Sequence, residues 1–187
     1  VLALALLLVA PYTVACSGGD GGDESTLHYA LPTRLIVKAG EYLPGTTIQY
    51  VGETEKGAHV LIDGQTAYKK TGDSLDWRGE PVQGVTVALA LRVLSFSPTE
   101  LQLVGTATID VAGAEPQAGE AVKTGPIEYS GVVAYHVPKG QRVPGSTLAY
   151  VGHTENGAEL SGLEGYPYRK GGDSVSYEGS LREGVFI

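Results

Sequence analysis

Sliding the chain against itself by one hundred positions lays residues 37–85 over residues 137–185 without a gap, and 20 of those 49 positions are identical. A gapless match of that density means one structural unit used twice. The period far exceeds the roughly 20–50 residues of a solenoid repeat, so the expectation is two modules strung along the chain. A complete unit of some 85 residues is enough to bury only a modest core of its own.

The clearest local pattern lies at the end of the first copy. Val85, Val87, Leu89, Leu91 and Val93 alternate with Thr86, Ala88, Ala90 and Arg92, which is the period of a strand with one buried face. Ser97-Pro98-Thr99-Glu100 turns the chain, and Leu101, Leu103, Ala107, Ile109 and Val111 alternate back. These two stretches predict a long hairpin. Leu35-Ile36-Val37 predicts a short strand, Thr46 to Val51 another, and Glu53 to Gly57 a tight loop from which Ala58 to Ile62 returns. Gly72-Asp73-Ser74 reads as a further turn, with Leu75 and Trp77 sharing a face after it. No stretch of the modules carries a helical period. With 27 Gly, no Met, and 11 Tyr against 2 Phe, the composition suits a turn-rich sheet protein. The predicted fold class is all-β: two tandem Ig-like β-sandwich modules, with small β-barrels as the alternative.

Boundaries follow from composition. Module 1 spans residues 27–111, the small and polar stretch 112–126 is the linker, and module 2 spans 127–187. The second copy follows the first as far as Val185 and ends at Ile187, where the first copy opens its long hairpin. The expectation is that module 2 is incomplete because the chain given is truncated. The alternative is that a neighbouring molecule donates the strands, as in a filament subunit.

The front of the chain is different in kind. Residues 1–10, VLALALLLVA, are continuously apolar. They are too few for a helix across a bilayer, which takes about 20 residues, but they fit the apolar region of a secretory signal. Pro11-Tyr12-Thr13-Val14-Ala15 leads to Cys16, the sole cysteine, and Ser17 to Ser25 is Gly, Ser and acid. Residues 1–16 followed by a polar tether over 17–26 resemble the signal peptide and lipobox of a bacterial lipoprotein. The resemblance implies cleavage before Cys16, acylation of its thiol and amine, and a membrane partner held through that lipid anchor. It implies an exported protein, held at the cell surface or in the periplasm. Two or three acyl chains anchor stably, at about 0.8 kcal/mol per buried CH₂. The residues alone leave a second reading, an apolar strand with an incidental thiol.

Net charge is −8, from 13 basic and 21 acidic residues with no basic run. That balance speaks against nucleic acid or an anionic lipid surface as a partner, since both are held by Lys and Arg clusters.

The duplication also filters for chemistry, because a site used by both copies must recur in both. No histidine does: His28 faces Glu128, His59 faces Glu159, Ile36 faces His136 and Glu53 faces His153. With Cys16 in the leader, no thiol nucleophile remains for the modules, and no phosphate loop or hydrolase motif is present. The expectation is a protein that is not an enzyme. What recurs is Glu55/Glu155 beside Thr54/Thr154, and Asp73/Asp173 beside Ser74/Ser174. Loop carboxylates among hydroxyls could serve Ca²⁺, which takes six to eight oxygens; the competing reading has each Asp bonding a backbone N–H two residues on in its own turn. Tyr68 and Tyr168, beside Lys69-Lys70 and Arg169-Lys170, are the aromatics expected to be partly exposed for stacking against a ligand such as a sugar. Tyr50 and Trp77 are expected in the core. The leading expectation is a structural or adhesive module that contacts protein or glycan, ahead of a Ca²⁺ or small-ligand binder and of a strand-donated filament.

Overall fold

A computed structural model describes residues 26–120 and 127–187. Cys16, the leader, most of the expected tether and residues 121–126 lie outside the described residues. Among the described residues there is no helix, and the strands form antiparallel sheets, none of them closed into a barrel.

The first copy holds seven strands: β1 (Leu27–Lys38), β2 (Ile48–Thr54), β3 (Gly57–Ile62), β4 (Gln65–Lys69), β5 (Ser74–Val82), β6 (Val85–Phe96) and β7 (Glu100–Val111). They make a four-stranded sheet in the order β1-β7-β6-β5 and a three-stranded sheet in the order β2-β3-β4. The predicted hairpin is the spine of the larger sheet. Val85, Val87, Leu89, Leu91 and Val93 on β6 point inward, as do Leu101 and Leu103 on β7. Ile48, Tyr50, Ala58 and Val60 from the smaller sheet join them in one core. Two antiparallel sheets that each turn an alternating apolar face to a shared core form a β-sandwich.

β1 is longer than its apolar centre predicts, because pairing with β7 runs unbroken from Leu27 opposite Val111 to Lys38 opposite Glu100. Pro32 sits inside this strand and has no N–H to give. It is tolerated because β1 is an edge strand with a ladder on one side only. β4, which the sequence left unmarked, turns only Ala67 toward the core.

The second copy repeats the smaller sheet with β9 (Ala149–Thr154), β10 (Gly157–Ser161) and β11 (Tyr168–Arg169), after β8 (Gln117–Ala118) between the copies. β12 (Gly179–Arg182) and β13 (Val185–Phe186) correspond to the end of β5 and the start of β6. β8 pairs with the free side of β12, so the stretch between the copies becomes an outer strand of the second one. Residues 128–138, the counterpart of β1, lie in no ladder. In the first copy β1 pairs only with β7, and the positions matching β7 would fall at 200–211, past Ile187. Leu160 and Val175 are less covered than their counterparts Val60 and Leu75.

Candidate functional site

Several recurring residues prove to be the pins of the turns. In the first copy the N–H of Gly40 donates to Tyr50 O at 2.7 Å, that of Leu43 to Ile48 O at 2.8 Å, and that of Tyr50 to Glu41 O at 3.0 Å. In the second copy Gly140 donates to Tyr150 O at 2.7 Å, Val143 to Leu148 O at 2.9 Å, and Tyr150 to Gln141 O at 2.9 Å. The hairpin hydroxyls behave alike. Thr54 Oγ1 donates to Gly57 O at 2.9 Å and accepts from the Lys56 N–H at 3.2 Å; Thr154 Oγ1 donates to Gly157 O at 3.0 Å and accepts from the Asn156 N–H at 3.2 Å.

Asp73 and Asp173 are used in the same way. Asp73 Oδ2 accepts the Lys70 N–H at 2.7 Å while the Asp73 N–H donates to Lys70 O at 3.0 Å, and Asp173 repeats both bonds with Lys170 at 2.7 and 3.0 Å. The donor lies three residues earlier in the chain, which corrects the expected bond to an N–H two residues on. The turn between them needs Gly72 and Gly172 at φ 89° and 92°, the left-handed region that glycine occupies without penalty. Glu55 and Glu155 are exposed at their hairpin tips. Among the described residues no three His, Cys, Asp or Glu side chains gather in a way that could hold a metal ion.

The tyrosines divide. Tyr50 is fully buried and donates its hydroxyl hydrogen to Ser97 O, and burial, followed by the nearby Glu53 charge, raises its pKa. Trp77 is half-buried and packs against the same core. Tyr68 on β4 is 41% exposed; its ring stacks on His59 with centroids 5.2 Å apart, and Lys56 Nζ lies 5.2 Å from its centroid. Tyr168 on β11 meets Tyr166 edge-on at 5.4 Å, and the Arg169 guanidinium donates to the carbonyls of Tyr166 and Tyr168 at 2.6 and 2.9 Å. Both rings stand beside the equivalent residue of the central strand, His59 in one copy and Glu159 in the other. Two copies of one platform thus carry different chemistry. Near the second lies a shallow cleft of about 380 Å³ bordered by His153, Glu155, Arg169 and Lys170.

A larger space of about 760 Å³ opens between the copies, where sequence reasoning placed no site. Tyr129 donates its hydroxyl hydrogen to Pro44 O at 2.8 Å. Reciprocally, Tyr29 lies against the matching turn of the second copy, where a Cβ on Gly145 would collide with the Tyr29 hydroxyl. Leu31 packs against Gly131, its own counterpart. Leu181 enters the core of the first copy, and Val133 and Val185 pack against it. Burial pushes the hydroxyl pKa of both Tyr29 and Tyr129 up to about 12, with Tyr135 adding to the effect on Tyr29. In the sequence the only sign of this is that Tyr129 stands one hundred positions after Tyr29, the offset of the repeat. No known protein family, no curated protein and no solved structure matches this chain.

Proposed function

We propose that this is a non-catalytic, exported lipoprotein of the bacterial envelope, anchored through Cys16, whose β modules play a structural or adhesive role by contacting protein or glycan. The observation that carries the reading is the division of labour among recurring residues. Shared polar groups such as Thr54/Thr154 and Asp73/Asp173 are engaged within their own turns, whereas the outward neighbours differ, His59 against Glu159 and Thr66 against Tyr166. A constant scaffold with a changing outer face suits display, and a repeated reactive centre would require the opposite. The diffuse negative charge agrees with a soluble surface held clear of an anionic membrane.

The test is retention of bacterial cells displaying the chain on immobilised envelope proteins and glycans. Retention on at least one surface, lost when Cys16→Ala releases the protein from the membrane fraction, supports the reading. Cells that pass over every surface, or a Cys16→Ala protein that stays with the membranes, would overturn it.

A further inference from the structure

The two tyrosine platforms differ in a concerted way. In the first copy the Tyr68 ring is engaged by the protein itself, with His59 stacked on it at 5.2 Å and Lys56 Nζ 5.2 Å from its centroid. In the second copy those two positions are Glu159 and Asn156, neither of which can stack on Tyr168 or hold a cation over it. A second tyrosine joins the platform instead, because Tyr166 stands where the first copy has Thr66, and its side chain is 65% exposed.

The backbone that carries the two rings is braced. Pro167 stands in place of Ala67 and restricts Tyr166 before it to extended conformations. Arg169 stands in place of Lys69, and its guanidinium donates to Tyr166 O at 2.6 Å and to Tyr168 O at 2.9 Å. Rings held in this way lose little freedom when something stacks on them. Tyr166 and Tyr168 meet edge-on, with centroids 5.4 Å apart and planes at 64°. Glu159 lies directly opposite Tyr168 across the β10–β11 ladder, so its carboxylate and that ring share a face.

From these differences we infer that the second platform binds an uncharged saccharide: a pyranose lays an apolar C–H face on Tyr166, and its hydroxyls donate to Glu159. A tyrosine ring supplies a flat apolar surface at low cost in rotamer freedom. A carboxylate only accepts hydrogen bonds and can take two donors at once, which suits neighbouring hydroxyls. An anionic sugar would meet Glu159, and a cationic ligand would meet the Arg169 guanidinium that lies against both tyrosine carbonyls. Such a site rests on the glycan contact proposed above and gives it a place and a ligand class.

The test is titration of the isotope-labelled full chain, followed by nuclear magnetic resonance. Cellohexaose, maltohexaose and mannohexaose serve as neutral probes, trigalacturonate as the anion and choline as the cation. The expected result is saturable binding of at least one neutral probe at one site per chain, with Kd no weaker than about 1 mM and the largest shifts at Glu159, Tyr166 and Tyr168. Tyr166→Ala weakens it by about 10-fold or more with an unchanged melting temperature, because the side chain is exposed. Glu159→Gln, close in shape to the parent, weakens it by about 3-fold or more and serves if Tyr166→Ala fails to fold. Tyr68→Ala leaves it unchanged. Any of three outcomes would overturn the inference: no neutral probe saturating below about 10 mM, a folded Tyr166→Ala or Glu159→Gln chain that binds as tightly as the parent, or tighter binding of trigalacturonate or choline. Binding is read in solution and does not depend on the anchor. Saturable binding by a chain whose cells are retained on no surface would support the site and sink the display reading, and retention on glycan unchanged by Tyr166→Ala would do the reverse.

Discussion

The Tyr129 hydroxyl reaches across the boundary between the two copies to the carbonyl of Pro44, 85 residues earlier in the chain, at 2.8 Å. It fastens the irregular start of the second copy to a turn of the first. Tyr129→Phe removes that bond alone, and the expected cost is about 0.5–1.5 kcal/mol, read from the midpoint of urea unfolding. A midpoint unchanged from the parent would show that the contact contributes nothing in solution.

The same interface makes stability depend on alkaline pH. The hydroxyl pKa values of Tyr29 and Tyr129 lie at about 12 in the folded chain, against 10.0 for an ordinary tyrosine. Above pH 10 the unfolded chain gives up these protons while the folded one keeps them, so the unfolded state gains relative stability. The contribution is complete below pH 10 and is lost as pH rises toward 12. Unfolding midpoints should fall over that window, and the fall should shrink in Tyr29→Phe/Tyr129→Phe. A double variant with the parent's slope would contradict the assignment.

Asp73 and Asp173 each brace their own turn by accepting the N–H of the lysine three residues earlier. Asp73→Asn keeps an oxygen able to accept the Lys70 N–H and should hold stability within about 0.5 kcal/mol of the parent. Asp73→Ala should lose about 1 kcal/mol, equally with and without millimolar Ca²⁺. A loss that appears only when Ca²⁺ is present would restore the cation reading.

Gly57 and Gly157 hold φ at 125° and 120°, and a Cβ there would run into the backbone carbonyl of Lys69 or Arg169. Gly57→Ala should therefore destabilise by about 1–3 kcal/mol. Gly119→Ala, where a Cβ meets nothing within 4 Å, is the matched control, expected within about 0.5 kcal/mol of the parent. Thermal melts of the two variants side by side decide the point, and equal melting temperatures would refute it.

Equivalent positions of the repeat should not be equivalent in energy. Leu75, beside Leu91 of β6, is 1% exposed, whereas Val175 is 37% exposed. Leu75→Ala is expected to cost about 2–5 kcal/mol and Val175→Ala less than about 1. Similar losses in denaturant titration would mean that the second copy buries its residues as deeply as the first.

The β6–β7 hairpin was legible because its signal is local. Alternation from Val85 to Val93 and back from Leu101 to Val111 marks a buried face without knowledge of anything beyond the two strands. β1 was only partly legible, since Leu35 and Val37 announce a core face while Pro32 argues against a strand until the edge position is known. β4 carried too little apolar sequence to register, its one inward residue being Ala67. The recurrence of Thr54, Gly57 and Asp73 was plain, but whether a recurring carboxylate closes a turn or waits for a cation depends on where its oxygen points. Of the cavity only the recurrence of Tyr29 as Tyr129 was legible. Its walls come from segments about one hundred residues apart, brought together by reciprocal contacts such as Leu31 with Gly131, and periodicity within one strand carries no trace of that.

Leu27 and Val111 face each other in the terminal rung of the β1–β7 ladder, so the chain enters and leaves the first sandwich side by side. A tensile load on the polypeptide would then open the ladder one rung at a time from Leu27 toward Lys38, rather than shear all its bonds together. Under such a load the first sandwich would lengthen gradually as β1 peels away from β7.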